Sequence, residues 1–384
     1  MNQSVRTSKA PLFNSRSVQA RICDDYVFTS GIVGVDPVTL FPAEGFEAQA
    51  RLAIEHLITV SAEAKMSPKN FVRVRVYLRD MIQQDIFNSI FAEYVSCENF
   101  PVISIFALPA LDGPYLFMIE AFGVRDDSNI KKEIIHTSAA PTLCAYPYPQ
   151  GIKIGNFLFT SSQLPIYSDT GKPEEEFEKQ IHLALQNMIA VVEAGGASKE
   201  NIMKNLVLLK DKNLDRFDVM NGVYGQYFTR PARSCYGASG LYGISEVATE
   251  CIAYMNDGWK TLYSTDAPTF SLPLTQGAAA ENLAFISGMV AVDPKTGEVA
   301  KGLEGEMRLM MTNALAVGRE VGAEFEDWLK TTLFLTDIGQ SDFTGSIFEE
   351  YFKGDLPAGT TYQVYALAKN RYLVEFDVIA RTNK

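Results

Sequence analysis

The chain has 384 residues, room for two or three ordinary domains, and its composition of 47% hydrophobic and 21% charged residues is that of a folded globular protein. Its formal net charge of −12, with no Lys/Arg cluster, argues against nucleic acid as a partner. No apolar run is long enough to span a membrane, and Met1-Asn2-Gln3-Ser4-Val5-Arg6 has no apolar stretch behind its basic residue, so no membrane association, no signal peptide and a cytoplasmic location are expected.

In chain order, the first clear element is a short apolar strand, Tyr26-Val27-Phe28-Thr29-Ser30-Gly31, running into a turn at Asp36-Pro37-Val38-Thr39. A helix follows with Phe46, Ala50, Ile54, Leu57 and Ala64 on one face. Residues 71–80 read as an apolar strand closing on Asp80, and residues 87–94 as a second helix. Two more strands follow Pro101, the last holding Glu120 in an apolar run.

The series then begins again, with a period of about 128 residues, the size of a whole domain rather than of a solenoid unit. The second copy has the strand Phe157-Leu158-Phe159-Thr160-Ser161-Ser162 and a turn at Ser168-Asp169-Thr170-Gly171. Its first helix carries Phe177, Ile181, Leu185, Met188 and Val192, ended by Gly195-Gly196. A strand over 202–211, a helix over 220–227, Pro231 and Glu250 complete it. The third copy gives Leu283-Ala284-Phe285-Ile286-Ser287-Gly288, a turn at Asp293-Pro294-Lys295-Thr296-Gly297, and a helix with Met307, Met311, Ala314 and Val321 before Gly322. A strand over 328–337, a helix over 344–351, Pro357 and Asp377 close the chain.

Each copy therefore reads ββαβαββ, an α+β unit whose helices cover one face of a mixed sheet. Three such sheets can bury their other faces against one another around a shared axis, giving a monomeric pseudo-trimer with sheets inside and helices outside. The repeats are placed at residues 1–130, 131–262 and 263–384, with linkers near 126–132 and 257–265.

Few side chains suggest metal or histidine chemistry. Cys23, Cys97, Cys144, Cys235 and Cys251 form no CxxC pair and are odd in number, which suits a reduced compartment. His56, His136 and His182 lie far apart, with no Cys or His at ligand spacing, so neither a metal site nor a histidine-dependent triad is expected.

Together these landmarks resemble the RidA/YjgF family of imine and enamine deaminases, which share a chorismate-mutase-like fold. The most specific stretch is Phe228-Thr229-Arg230-Pro231-Ala232-Arg233-Ser234-Cys235, similar to the family's Pro-Ala-Arg-Ser/Thr signature. Family members are typically homotrimers with sites between subunits, so this chain resembles such a trimer fused head to tail. The resemblance implies that Arg233 binds the carboxylate of a 2-imino or 2-keto acid, because a planar guanidinium offers two parallel donors. It also implies that Cys235 lines the cleft, that Tyr148 packs on the ligand, and that Ser161 and Asn221 contact it. No cofactor or metal is implied, since a protonated imine is already electrophilic. Against these roles stand plain ones: Arg233 paired with an acid such as Glu246, Tyr148 in turn packing, Ser161 bonding at a strand end, Asn221 on a helix surface.

The pattern is broken elsewhere. Ile103 and Gly359 replace the arginine, and Ser17 and Leu274 replace the tyrosine. Asn88 persists in repeat 1, but Gly345 stands in repeat 3. The family's water-orienting glutamate corresponds to Met118, Ala248 and Glu375, so the arginine-bearing repeat lacks it. Glu246 and Glu250 share a sheet face with Ala248, and a modest register change could put either one in the cleft, Glu250 being the catalytic candidate. Ser30, Asn88 or Ser287 of a neighbouring repeat could also reach Arg233.

Three functions stay open at this point. One is hydrolysis of a small imine or enamine carboxylate, releasing ammonia, with Arg233, Cys235 and Glu250 as the catalytic candidates. A second is a hydrolase of cyclic or conjugated substrates built on serine–lysine pairs, for which Lys204 and Lys330, with Arg73 in the first copy, stand at matching positions. The third is a non-catalytic protein that binds small carboxylates.

Overall fold

The computed structural model describes residues 2–142, 146–210, 216–256 and 258–383. Cys144 and Asp211, singled out above, lie outside them. Each repeat contributes two helices: α1 (Gly45–Glu63) and α2 (Gln84–Tyr94), α3 (Phe177–Ala194) and α4 (Phe217–Tyr227), and α5 (Gly302–Arg319) and α6 (Ser341–Glu350). The apolar stripes read from the sequence are buried against the sheets. Ala64 and Val321 lie just past their helices, and the stop after α3 falls at Gly196, whose φ of +86° suits a residue without a Cβ.

The predicted ββαβαββ order gains one strand at the start of each repeat. Asn2–Val5, Lys132–Ile135 and Lys260–Leu262 pair antiparallel with Ala20–Cys23, Gly151–Ile154 and Gly277–Ala280, the strands that precede the apolar strands named above. These segments are short and carry exposed polar residues at a sheet edge, so they lack the apolar pattern that marks the other strands. The last of them places residues 260–262 with the third sheet, whereas the sequence boundary at 262 gave them to the second repeat. The aspartates expected to close the long strands serve the next turn instead: Asp80 accepts from the N–H of Ile82, and Asp337 from that of Gly339.

Strand alternation sorts the side chains. On the central strand Ile202–Lys210, Val207 and Leu209 face the helices, while Lys204, Leu206 and Leu208 face inward. The inner faces of the three sheets meet in layers along the pseudo-threefold axis. One end is apolar, with Tyr26, Phe122, Phe157, Phe159 and Phe285 in one cluster. The other end gathers Tyr77, Phe106, Tyr236, Phe334 and Tyr362, with the Tyr236 and Tyr362 hydroxyls 2.6 Å apart.

Between them lies a buried layer of charge that links the repeats in a closed ring. Arg73 and Arg75 of repeat 1 hold Glu250 of repeat 2, which Ser104 also contacts. Lys204 of repeat 2 holds Asp377 of repeat 3 at 3.2 Å. Lys330 of repeat 3 returns to Glu120 of repeat 1 at 2.8 Å, with Thr360 on the same carboxylate. Each repeat thus gives its cations to the acid of the next, and the order 1→2→3→1 closes within one chain.

Candidate active site

The same cyclic order builds three clefts. In each, the backbone N–H at the signature position donates to the serine ending an inner strand of the next repeat: Ile103 to Ser161 (2.9 Å), Arg233 to Ser287 (2.9 Å) and Gly359 to Ser30 (3.0 Å). Each serine in turn donates to a carbonyl of its own repeat. The serine is therefore a clamp between repeats wherever it occurs, whatever else the cleft holds.

This geometry divides the residues expected to act together. Tyr148 and Ser161 face repeat 1, where the Tyr148 hydroxyl donates to Asn88 at 3.0 Å and its ring stacks on Phe100. Ile103 and Ile105 fill that 1/2 cleft, leaving about 50 Å³. Arg233, Cys235 and Asn221 face repeat 3. Glu250 belongs to neither group: it projects from the inner face of its sheet into the charge layer, while Arg233 and Cys235 project from the opposite face. Its carboxyl stays below the ordinary range because, against strong desolvation, Arg75 and Arg73 stabilise the anion. It is committed to holding repeats 1 and 2 together.

The 2/3 cleft is centred on a buried guanidinium. Arg233 begins the strand Ala232–Ala238, which runs parallel to Ile202–Lys210 with Arg233 opposite Asn205. Its side chain is 3% exposed and lies over the Tyr224 ring, 4.8 Å from the centroid. Nη2 donates to Asn221 Oδ1 at 2.7 Å, and Asn221 is itself fixed by donating to the Phe217 carbonyl. Among the described residues Nη1 has no hydrogen-bond partner. Glu246, the acid considered for it, pairs instead with Arg216.

Repeat 3 supplies the carboxyl that repeat 2 lacks. Glu375 lies on the inner face of the strand Val374–Arg381, opposite Phe334, and is buried against Gly288. A Cβ on Gly288 would overlap Glu375 Oε1, so with the carboxyl in this position glycine gives it room. Burial first, then the nearby Asp377 carboxylate, push the Glu375 carboxyl up to about 8; Lys204 and Arg233 oppose the rise. Glu375 in turn helps raise Cys235, whose thiol burial pushes up to about 12. A thiol so buried favours its protonated form, the less nucleophilic one.

Leu272 of repeat 3 packs against the core of repeat 2 on this side. The aromatic support from Tyr224 was legible in principle, since it stands three residues after Asn221 on the same helical face. The union of Arg233 with Glu375 was not.

The serine–lysine geometry exists too, on the inner face. Lys204 Nζ lies 2.8 Å from Ser234 Oγ, but both also contact Asp377 and the adjoining void is about 40 Å³. Among the described residues no group of three or more His, Cys, Asp or Glu side chains is placed to hold a metal ion, and no helix is long and apolar enough to cross a membrane.

A family described as Endoribonuclease L-PSP matches the chain three times, over residues 7–124, 137–255 and 264–382. The chain belongs to this family. Its three L-PSP units are the RidA-like repeats read from the sequence. A RutC family protein of Pyrococcus abyssi is 39% identical over 126 residues, covering 32% of this chain and 97% of that protein. The 2-iminobutanoate/2-iminopropanoate deaminase of Escherichia coli strain K12 is 36% identical over 124 residues, 31% of this chain and 94% of the enzyme. Among solved structures, E. coli TdcF with bound serine is 36% identical, covers 32% of this chain and 99% of its own, and gives a TM-score of 0.31. Each of these relatives spans one L-PSP unit.

Proposed function

We propose that the chain is an imine/enamine deaminase working at one cleft, between repeats 2 and 3, on small 2-imino acids or their enamine tautomers. One observation carries the reading: Arg233 is buried with Nη1 unpartnered, in the cleft that Glu375 enters from the next repeat. A buried cation with a vacant donor is costly unless a ligand completes it, and a carboxylate matches its geometry.

The chemistry follows from the two groups. Arg233 anchors the substrate carboxylate and so fixes C2 of the imine. Glu375, protonated at neutral pH, gives its proton to the imine nitrogen. Water then attacks C2, forming the C–O bond as the C=N electron pair moves to nitrogen, and the Glu375 carboxylate takes a proton from that water. Transfer of this proton to nitrogen makes ammonia the leaving group; as the C–N bond breaks, an oxygen lone pair forms the C=O bond and the hydroxyl proton returns to Glu375, which releases ammonia and the keto acid and restores the starting acid. A carboxyl titrating near the working pH suits this two-way traffic. The name of the E. coli relative supports 2-iminobutanoate and 2-iminopropanoate as first substrates to try.

The test is the rate at which 2-iminobutanoate decays to 2-oxobutanoate. Glu375→Gln should lower kcat by about 10²- to 10³-fold while 2-oxobutanoate still binds. Tight binding by wild type without any turnover would make the chain a carboxylate-binding protein instead. Activity that survives Arg233→Ala but not Lys204→Ala would move the chemistry to the inner-face serine–lysine pair.

A further inference from the structure

The substitutions that removed the signature residues from the 3/1 cleft also emptied it. Gly359 stands where repeat 2 has Arg233, Gly345 where it has Asn221, and Ser17 where it has Tyr148. What remains is a cavity of about 600 Å³, against about 50 Å³ in the 1/2 cleft. Pockets for small molecules typically measure about 300–1,000 Å³. The walls have not collapsed inward: a Cβ on Gly345 would meet nothing within 4 Å, and one on Gly359 would touch only the Pro357 carbonyl at 4.0 Å.

The lining has a definite chemistry. Phe13, Tyr115, Met118, Leu333 and Phe348 give it an apolar and aromatic body, and Phe13 is half exposed beside the Tyr115 ring, 6.4 Å away. Asp112, Asp342 and Glu349 also line it, and no lysine, arginine or histidine does. The nearest cations are turned elsewhere. Arg16 donates to the carbonyls of Glu349 in the last turn of α6 and of Gly354 beyond it, and also pairs with the Glu349 carboxylate at 3.7 Å, so Asp112 and Asp342 are the lining acids left to a ligand; Arg6 pairs with Asp355 at 2.7 Å. An entering carboxylate would meet the like charge of Asp112 and Asp342. An ammonium would meet carboxylates and aromatic faces.

We propose that the 3/1 cleft is a second ligand site, selective for a small organic amine with an apolar or aromatic body. It is independent of the deaminase reading, because it shares no side chain with the Arg233 cleft. A single chain fused from three copies can let one cleft change its ligand while another keeps its own; identical subunits of a homotrimer cannot.

Calorimetric titration with three probes of one body tests this: 2-phenylethylamine, 2-phenylethanol and 3-phenylpropanoate. The amine should bind one equivalent, the alcohol should bind about tenfold more weakly, and the carboxylate should give no measurable heat. Gly359→Phe and Gly345→Leu each fill the cavity and should each weaken the amine by at least about tenfold, with melting temperatures confirming that both variants are folded. The double change Asp112→Asn with Asp342→Asn should weaken the amine by roughly five- to tenfold and leave the alcohol unchanged. Amine binding that persists in both filled variants, carboxylate binding as tight as amine binding, or no binding of any probe would each overturn the proposal. The readout is heat, so loss of 2-imino acid turnover would bear on the 2/3 cleft alone.

Discussion

Replacing Arg233 with leucine should make the protein more stable and unable to hold a carboxylate. The losses are one charge-assisted bond to Asn221, about 1.5–3 kcal/mol, and the contact with Tyr224, about 1 kcal/mol. Against them stands the removal of a desolvated cation whose Nη1 has no partner, which relieves a penalty of several kcal/mol. Leucine adds roughly 1.5–3 kcal/mol of apolar burial beside Phe217 and Cys235, both already in the apolar core of repeat 2. The balance favours the variant by about 1–2 kcal/mol, a rise in melting temperature of roughly 1–3 °C for a closed unit of 384 residues. Melting curves with and without 2-oxobutanoate give both readouts. The wild-type midpoint should climb with ligand, and the variant should start higher and stay flat. A variant that melts several degrees lower, and still responds to 2-oxobutanoate, would show that Arg233 is a structural strut and refute the reasoning.

Three other outcomes follow from the charge arrangement. Glu375 has its folded pKa raised from 4.5 to about 8, so the folded state keeps a proton that the unfolded state has lost; stability should fall as pH rises across that window, by no more than about 1.4 kcal/mol per unit, and Glu375→Gln should abolish the slope. Glu120 and Glu250 have the opposite sign, with Glu120 held down to about 2 by Lys330 and Arg75 despite its burial, so their contribution should be lost as pH falls below about 4.5. Glu250→Gln, which strands Arg73 and leaves Arg75 the longer contact with Glu120 at 3.8 Å, should cost about 3–5 kcal/mol in denaturant unfolding. Tyr148→Phe removes the bond to Asn88 in the 1/2 cleft; it should cost about 1 kcal/mol and leave 2-imino acid decay unchanged, and a large loss of turnover would put Tyr148 back into the site.

Much of the molecule was legible in the residues. The three helical stripes, the turn signals and the recurring strand before Ser30, Ser161 and Ser287 gave the repeats and the sheet-inside arrangement, because periods of 2 and 3.6 report directly which face is buried. Arg233 stood out as the sole survivor among the three signature positions. The edge strands Asn2–Val5, Lys132–Ile135 and Lys260–Leu262 did not, since an edge strand with one polar face leaves little hydrophobic trace.

The sequence by itself determined which side chains share a face: Arg233 and Cys235 on one side of their strand, Glu246, Ala248 and Glu250 on one side of another. Only the tertiary structure decided which faces meet. Helix-side residues of one repeat and inner-face residues of the next converge across a cleft, so Arg233 comes within electrostatic reach of Glu375 of the following repeat while Glu250 turns back to Arg73 and Arg75 of the preceding one. Local periodicity records burial within a repeat. The direction in which three repeats close into a ring is set by long-range packing around the axis, and that choice gave one cleft both the guanidinium and the carboxyl.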